Sequence, residues 1–457
     1  MPPSASQPNV VFVFGDQWRA AATGYAGDPN VKTPHIDRLA AESLNLQNAC
    51  AGAPVCTPYR ATLMTGQHSI RHGLFINDVP LKPDGTTLAG AFKDAGYATA
   101  YVGKWHIDGH GRYTWIPPER RLGWVDYWKV LECTHRYNKS PYYVDESDEM
   151  QIWEGYDAIA QTDDAIGWLR GRDEADGPFI LALSWGPPHD PYQTAPQEYR
   201  DMYDPATLEL RPNVPPEREE ATRRDLAGYY AHCTVLDDCL GRVRAALAEM
   251  ELAENTIFVF TSDHGDMLGS HGMTHKQKPW DESLRVPFLV HWPAGLGTEG
   301  RVIDSVIDSV DIMPTLLGLC GIAVPDSVQG LDRSPVLRGD APEDDHAALY
   351  NSVVPFGQWT RTNGGRESRG LRTRTHTYVR DLNGPWLLYD NVADPYQQQN
   401  LAGSPAHAAL QADLDRQLDV RLAAIDDTFE PGEHYIAKWQ YDVNPLTLTA
   451  PHNNWGG

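Results

Sequence analysis

A cysteine, a proline and an arginine stand at alternate positions in the run Cys56-Thr57-Pro58-Tyr59-Arg60. Thr57 is a predicted helix N-cap and Pro58 a predicted first helical residue, because these residue types are favoured there. Position 56 then lies at the positive end of a helix, where an anion is stabilised. Arg60, one turn further along, can bind the same anion through two parallel hydrogen bonds. The pattern indicates an anion-binding site; the alternative is an unmodified, buried cysteine before an ordinary helix.

Two polar pairs that follow predicted strands could together bind a metal ion. Asp16 and Gln17 come after the first apolar strand, and Asp263 and His264 come after a later one. Oxygen ligands favour Ca²⁺, Mg²⁺ or Mn²⁺, and one imidazole makes Mn²⁺ more plausible than at an all-oxygen site. Taken singly, Asp16 could equally be a helix cap or a turn residue, and His264 a polar loop residue.

Four chemically capable side chains each follow a predicted strand: Asp16, Lys104, His189 and Asp263. Ligands of open α/β sheets bind beyond the carboxyl ends of the strands. We therefore predict that the four side chains share one site. His106 comes two residues after Lys104, and on an extended segment the two side chains would point to the same side.

Six dispersed segments resemble, in their order, the signatures of type I sulfatases of the alkaline phosphatase superfamily. The run at Cys56 resembles the first signature, and residues 96–106 resemble the second. Residues 187–192 resemble the family's histidine loop, and the spacing before residues 282–287 matches its late lysine to Lys276. The other matching segments are residues 33–40 near the N-terminus and residues 388–390, 394–395 and 400–401 near the C-terminus.

The resemblance implies a particular nucleophile and a metal. In such sulfatases a formylglycine-generating enzyme oxidises the cysteine, here Cys56, to Cα-formylglycine, whose hydrate attacks sulfur and later expels sulfate. One divalent cation is implied beside it, with Ca²⁺ as first choice and Mn²⁺ or Mg²⁺ as alternatives. Its implied ligands are Asp16, Gln17, Asp263, His264 and residue 56, and Asp263 is also the implied base for the attacking hydroxyl. Many members have Asp-Asp and Asp-Asn where this chain has Asp-Gln and Asp-His. Phosphonate monoester hydrolases share the latter pattern, so the metal's identity stays open.

The resemblance also assigns roles to five cationic or titratable side chains. Arg60 and Lys104 would neutralise the charge of the sulfate. His106 would remove the proton of the diol when sulfate leaves. His189 and Lys276 would neutralise the departing alkoxide, one of them as general acid.

Four further residues are candidates for binding the rest of the substrate: Asn77, Arg112, His135 and Trp18. Their side chains offer hydrogen-bond donors and stacking faces suited to a sugar or an aryl ring. Equally, the aromatic side chains could simply pack a loop. The substrate class therefore includes small-molecule and glycan sulfate esters, whether aryl, alkyl or carbohydrate.

Three functions stay open at this point: a formylglycine sulfatase, a phosphonate monoester or phosphodiester hydrolase with the same nucleophile, and an inactive binding protein. Lys104 and His106 favour the first, because a monoanionic diester would call for a more polar, uncharged pair. The presence of Cys56, Arg60, Asp16 and Asp263 speaks against an inactive protein.

The acidic composition excludes several partners. The 457 residues include 38 Lys and Arg against 62 Asp and Glu, a net charge of −24. This charge argues against binding to nucleic acid or to an anionic membrane surface. An anionic substrate would then need a local positive site. No apolar run reaches the length of a transmembrane helix, so none is expected.

The N-terminus and the cysteines predict the compartment. Residues 1–8 lack the basic start and apolar core of a secretory signal. The six cysteines are sparse and show neither zinc-site nor disulfide-framework spacing, which favours a reducing compartment. We therefore expect a cytoplasmic protein.

Strands that alternate with helices predict an α/β fold with a large, mostly parallel central sheet flanked by helices. The longest predicted helix is 219–250. A charged, proline-containing linker at 338–345 suggests two parts, a catalytic domain at 1–345 and a smaller α+β subdomain at 346–457.

The smaller subdomain has its own predicted elements. Residues 371–379 and 386–389 are predicted antiparallel strands, and residues 404–423 a helix. The aromatic, proline-rich tail after Phe429 is expected to pack over another surface or over a second subunit of a homo-oligomer.

Overall fold

The computed structural model describes residues 7–451. Residues 1–6, part of the segment predicted to lack a secretory signal, lie outside the described residues, as do residues 452–457. The strands are β1 Asn9–Asp16, β2 Leu44–Leu46, β3 Ala49–Cys50, β4 Ala98–Lys104, β5 Tyr127–Leu131, β6 Pro141–Val144, β7 Gln151–Ile152, β8 Phe179–Pro188, β9 Thr256–Ser262, β10 Phe288–His291, β11 Arg301–Ile303, β12 Ile307–Asp308, β13 Ala348–Ser352, β14 Ser368–Arg372, β15 His376–Asp381 and β16 Gly384–Asp390. The helices are α1 Pro34–Ala41, α2 Cys56–Thr65, α3 Ser69–His72, α4 Leu88–Asp94, α5 Asp157–Arg170, α6 Gln197–Arg200, α7 Glu219–Glu249, α8 Asp281–Leu284, α9 Pro293–Leu296, α10 Ile312–Leu319, α11 Ser334–Arg338, α12 Ala408–Ala424 and α13 Gly432–Trp439.

A ten-stranded sheet forms the centre of the molecule, in the order β11-β2-β10-β9-β1-β8-β4-β5-β6-β7. Its middle strands, β9, β1, β8, β4 and β5, are parallel to their neighbours within this group. Strands β10, β6 and β7 pair in antiparallel fashion toward the two edges. The predicted α/β fold is confirmed, with the antiparallel pairings confined to the flanks.

Helices cover both faces of this sheet. Alternate side chains of β1 enter two different apolar cores, Val10 and Phe12 on one face and Val11 and Val13 on the other. Helices α2, α4 and α10 contribute to the first core, and α5 and α7 to the second. Burial on both faces explains why β1 is continuously apolar rather than alternating.

A four-stranded antiparallel sheet, β13 to β16, forms the C-terminal part. One face packs on α12, where Leu371 and Tyr378 are buried with Leu418. The other face packs on the segment around α8, where Tyr350 is buried with Trp280. The smaller sheet is thus held against the larger part of the chain, and the boundary at 345/346 stays a prediction.

The predicted strand at 371–379 is wrong, because the structure divides it between β14 and β15. The Thr373 N–H donates to the His376 carbonyl at 2.9 Å, which closes a tight turn. The Thr373 hydroxyl oxygen accepts from the His376 N–H at 2.8 Å. Threonine side chains that bond nearby backbone groups compete with strand pairing, and apolar alternation does not reveal them.

The aromatic tail packs over the surface of its own chain. The Tyr441 hydroxyl donates to the Gly73 carbonyl at 3.0 Å, and its ring lies 5.5 Å from that of Phe75. The expectation that the tail covers another surface is confirmed; a second subunit stays a prediction. Among residues 7–451, no helix is both long and apolar enough to span a bilayer.

Candidate active site

The carboxyl ends of the parallel strands carry the predicted polar residues. Strand β1 ends at Asp16 and β4 at Lys104, while His189 and Asp263 directly follow β8 and β9. All four side chains are buried. The Lys104 Nζ lies 2.6 Å from the Asp16 Oδ2. Parallel strand ends meet at one edge of the sheet, so the structure brings these side chains into one region.

Helix α2 begins two residues earlier than predicted, at Cys56, with Val55 as its N-cap. Thr57 is therefore not the N-cap: its hydroxyl donates to the His106 carbonyl at 2.7 Å, and its N–H donates to the Asn77 Oδ1 at 3.1 Å. The cap prediction is wrong because a tertiary contact takes the threonine hydroxyl. Position 56 still lies in the first turn, where the helix favours an anion.

Asp16, Cys56, Asp263 and His264 form a compact group of metal-binding type, with one ligand atom of each within 4.8 Å of the others. All four are buried. The His264 Nδ1 lies 3.0 Å from the Gly265 carbonyl, so Nδ1 carries the proton and Nε2 faces the group. Two carboxylates and one unprotonated imidazole nitrogen suit a divalent cation. The residues present therefore fit the metal that the sequence predicts.

Gln17 reaches this group through its backbone. Its N–H donates to the Asp263 Oδ1 at 3.0 Å. Its side-chain amide donates to the Asp266 Oδ2 at 2.6 Å, and its Oε1 accepts from the Lys276 Nζ at 2.9 Å. Gln17 thus connects the carboxylates to Lys276, and its role as a metal ligand stays a prediction.

Arg60 forms ion pairs with the two carboxylates of Asp16 and Asp263. It lies 3.3 Å from the Asp16 Oδ2 and 3.0 Å from the Asp263 Oδ2. It also donates to the Ser184 Oγ at 2.7 Å, and its guanidinium lies 4.9 Å from the centre of the Phe14 ring. Arg60 is wholly buried, so its position is fixed by these partners and not by solvent.

Burial and neighbouring charges shift the ionisation of this group. Burial raises the pKa of Asp263 to about 6, and the charge of Asp16 adds to the effect. Burial also opposes ionisation of Cys56, but Lys104 and Lys276 outweigh it and hold the pKa of the thiol well below its usual range. The environment of residue 56 therefore stabilises a negative charge.

His189 and Lys276 are in direct contact. The Lys276 Nζ is hydrogen-bonded to the His189 Nε2, while the His189 Nδ1 lies 2.9 Å from the Asp190 carbonyl oxygen. The His189 ring stacks on His135 with 4.5 Å between centres. Burial and the charge of Lys276 hold the pKa of His189 well below its usual range. His189 is thus neutral, and its Nε2 accepts a hydrogen bond from the Lys276 ammonium.

His106 and Lys104 do not share an extended strand. Strand β4 ends at Lys104, and His106 has a left-handed φ of 62°. That backbone expectation is wrong, yet both side chains line the same cavity. The His106 Nε2 lies 3.2 Å from the Asp78 Oδ1, and Asp78 forms an ion pair with Arg112 through two hydrogen bonds of 2.8 Å.

A cavity of about 190 Å³ opens above residue 56. Three of the four predicted substrate residues, Asn77, Arg112 and His135, line it. Its full lining is Val55, Cys56, Asn77, Asp78, Lys104, His106, Arg112, His135, His189, Lys276, Gln277, Phe356, Gly357, Gln358 and Thr449.

Trp18, the fourth predicted substrate residue, is part of an apolar core and does not line the cavity. It is 0% exposed, and its ring meets Phe260 edge to face at 5.2 Å. Its indole N–H donates to the Ala22 carbonyl at 2.8 Å. The prediction is wrong because a large apolar ring beside a sheet gains more from packing than from exposure.

Several residues of the site escaped the sequence analysis. Ser184, which bonds Arg60, is a polar residue near the carboxyl end of the apolar run that forms β8, and that position could have indicated it. Gln277, Phe356, Gln358 and Thr449 also line the cavity. The last three come from the C-terminal part, far along the chain, and carry no sequence signal of their own.

Comparison with known proteins identifies relatives over nearly the whole chain. The Sulfatase family model matches residues 8–322, and the model of the C-terminal part of N-sulphoglucosamine sulphohydrolase matches residues 269–423. The ulvan-active sulfatase of Formosa agariphila is 46% identical over 441 residues, which cover 95% of this chain and 85% of that protein.

Solved structures are similar in fold. The sulfatase yidJ of Bacteroides fragilis has a TM-score of 0.84 at 30% identity, covering 95% of this chain and 99% of its own. The structure of BT4656 in complex with its substrate D-glucosamine-2-N,6-O-disulfate has a TM-score of 0.79, covering 94% of this chain and 100% of its own. At 23% identity, this second likeness concerns the fold alone.

Proposed function

This chain belongs to the sulfatase family of the alkaline phosphatase superfamily and is a sulfuric ester hydrolase, and we propose that it acts on carbohydrate sulfates through a formylglycine formed at Cys56. The observation that carries the proposal is the setting of Cys56. It occupies the first turn of α2, borders the cavity, and lies 3.5 Å from the Asp16 Oδ1 and 3.2 Å from the His264 Nε2.

Two groups would complete the site. Asp16, Asp263 and His264, with Gln17 and the residue-56 oxygen, would hold one divalent cation, with Ca²⁺ first and Mn²⁺ or Mg²⁺ as alternatives. The cation would act as a Lewis acid, and the hydrated formylglycine would supply the nucleophilic oxygen.

Arg60 and Lys104 surround residue 56 with positive charge. Both are buried, and both contact the Asp16 Oδ2. They provide the local positive site that an anionic ester needs in a protein of net charge −24. Because they act on the charge of the sulfate, they serve every sulfate ester alike.

Lys276 and His189 face the cavity beside residue 56 and serve the leaving group. The Lys276 ammonium carries the proton in the resting protein and donates a hydrogen bond to the His189 Nε2. A proton passed to the departing oxygen from this pair would prevent a free alkoxide from forming. His106, held by Asp78 at 3.2 Å, lies on the same cavity and is proposed to take up the diol proton when sulfate is released.

A carbohydrate is the proposed alcohol for two reasons. Asn77, Arg112, His135 and the exposed Gln358 line the cavity with hydrogen-bonding groups that suit sugar hydroxyls. The name of the Formosa relative, an ulvan-active sulfatase, points in the same direction. The partners in this proposal are thus a glycan sulfate and, during maturation, the formylglycine-generating enzyme.

The first test is the chemical state of residue 56. In protein produced together with a formylglycine-generating enzyme, the peptide that contains Cys56 should be lighter by about 18 Da. Cys56→Ala should be inactive. Full activity of protein whose peptide mass is that of unmodified cysteine would contradict the proposed nucleophile.

The second test is a substrate screen with the modified, metal-loaded enzyme. Sulfated sugars should be hydrolysed, and an aryl sulfate should be preferred over the phosphonate monoester of the same phenol. A preference for the phosphonate would favour the phosphonate hydrolase instead. Inactivity on every ester, despite modified Cys56 and bound metal, would favour a binding protein.

A further inference from the structure

The segment that carries Lys276 has no regular secondary structure, and its backbone is unusual. His275 has a φ of 60° and Gln277 a φ of 76°, so left-handed residues flank Lys276 on both sides. Residues with a Cβ seldom adopt this region, and they persist there only where the surroundings hold them. The Lys276 Nζ is nevertheless placed against His189 and Gln17. Contacts outside the segment must therefore fix it.

Gln277 supplies three such contacts. Its N–H donates at 3.0 Å to the carbonyl of Pro54, two residues before Cys56. Its side-chain amide donates to the Phe356 carbonyl at 3.1 Å, and its own carbonyl accepts from the Tyr350 hydroxyl at 3.1 Å. Gln277 is only 6% exposed. One residue thus joins the loop before the nucleophile to strand β13 and the loop that follows it.

Lys278, the residue after Gln277, makes further contacts that hold the segment. The Lys278 Nζ donates to the Lys276 carbonyl at 2.7 Å and lies 5.3 Å from the centre of the Trp359 ring. Trp359 belongs to the same stretch after β13 as Phe356. Gln277 and Lys278, the two residues that follow Lys276, are therefore both in contact with the C-terminal part of the molecule.

We propose that Gln277 is a positioning residue, which places the Lys276 ammonium relative to residue 56 by fastening its segment to the C-terminal sheet. The inference rests on the proposed function, because the effect is expected where Lys276 and His189 serve the leaving oxygen. The smaller sheet is then a part of the catalytic apparatus, in addition to a part of the fold. A displacement of Lys276 would matter most for a poor leaving group, which needs a proton.

The test compares Gln277→Ala with a matched control, Gln67→Ala. Gln67 is 1% exposed, and its amide also donates to backbone carbonyls, those of Asp84 and Ser327, at 3.0 Å. It lies beyond the opposite end of α2 from Cys56. We expect Gln277→Ala to lower kcat/KM for a sugar sulfate about 10- to 100-fold more than for nitrophenyl sulfate. Gln67→Ala should lower the Tm without changing that ratio.

Two further variants allow the inference to be tested even if Gln277→Ala fails to fold. Gln277→Gly removes the side-chain amide, and glycine adopts the left-handed φ without strain. Tyr350→Phe removes only the hydroxyl that donates to the Gln277 carbonyl. Both should change the ratio in the same direction as Gln277→Ala. An equal loss on both substrates, or an unchanged ratio in the folded variants, would overturn the inference. If the parent enzyme cleaves nitrophenyl sulfate but no sugar sulfate, the carbohydrate proposal fails instead, and an alkyl sulfate serves as the poor leaving group.

Discussion

The contact between Lys276 and His189 determines where the proton for the leaving group resides. The His189 Nδ1 lies 2.9 Å from the Asp190 carbonyl and 3.1 Å from its carboxylate, so Nδ1 is the protonated nitrogen. The Nε2 is then an acceptor for the Lys276 ammonium. The sequence alone could not choose between the two residues. In the proposed reaction this geometry favours Lys276 as the proton source, with His189 holding the ammonium in place.

The first prediction separates leaving-group assistance from sulfate binding. His189→Ala should reduce kcat/KM for a sugar or alkyl sulfate about 10²–10⁴-fold more than for nitrophenyl sulfate, since only the poor leaving group needs a proton. Lys104→Ala is the comparison, because it acts on the sulfate that both substrates share. It should slow both to a similar degree. If His189→Ala slows both substrates equally, Lys276 donates the proton without help from His189.

The second prediction concerns the metal. Asp263→Ala should lose the cation, measured as metal content by elemental analysis, and several orders of magnitude in rate. The pKa of Asp263 is raised to about 6 by burial and by Asp16. A cation must displace that proton, so its apparent affinity should fall as the pH drops below about 6. Normal metal content with a near-normal rate in the variant would contradict the assignment.

At the scale of single elements, helix α5 carries a buried acid that the mechanism does not use. Asp157 lies in the first turn, is 2% exposed, and has one carboxylate oxygen with no partner among the described residues. Burial raises its pKa from 3.8 to about 7. Between these values the folded protein keeps a proton that the unfolded chain has released. The stabilisation from this proton is therefore complete below about pH 4 and is lost as the pH rises through 7.

The third prediction follows from this loss of stability with rising pH. Asp157→Asn cannot ionise, so its stability relative to the parent should increase as the pH rises from about 4 to 7, by at most about 1.4 kcal/mol per pH unit. Thermal unfolding of both proteins across this pH range measures the difference. Parallel pH profiles for the two would show that Asp157 is already ionised in the folded state.

At the scale of the whole molecule, the tail packs against two distant segments, one at Gly73 and one at Gly357. The Trp439 ring lies over Gly73, where a Cβ would approach it to 2.6 Å, and it stacks on Tyr441 with 6.4 Å between ring centres. The Gly357 N–H donates to the Thr447 carbonyl at 2.9 Å, and both stretches border the cavity. The tail therefore closes one side of the proposed substrate site.

The fourth prediction tests whether the packing of the tail stabilises the protein. Trp439→Ala should reduce the free energy of unfolding by about 1–3 kcal/mol, since it removes an aromatic contact that nothing else can fill. Leu446→Ala is the matched control, because Leu446 belongs to the same tail but is 84% exposed. It should leave the Tm unchanged. Equal Tm values for Trp439→Ala and the parent would mean that the tail adds no stability.

Much of the fold could be predicted because its signals are local. The uninterrupted apolar run that became β1 indicated a strand buried on both faces, and the three- and four-residue spacing within 219–250 indicated the helix that became α7. Local signals failed where a side chain had a competing partner. Thr373 bonds the backbone and ends β14, and Thr57 bonds His106 and does not cap α2.

By itself, the sequence determined the family, the α/β architecture and the polar residues at the strand ends, because chemical type and spacing along the chain are enough for each. Only the tertiary structure decided which of these residues meet. It buried Trp18 in a core, connected Gln17 to Lys276, and brought Gln358 and Thr449 to the cavity. The physical reason is that contacts between distant segments depend on how two sheets pack against each other. No spacing along the chain encodes that packing.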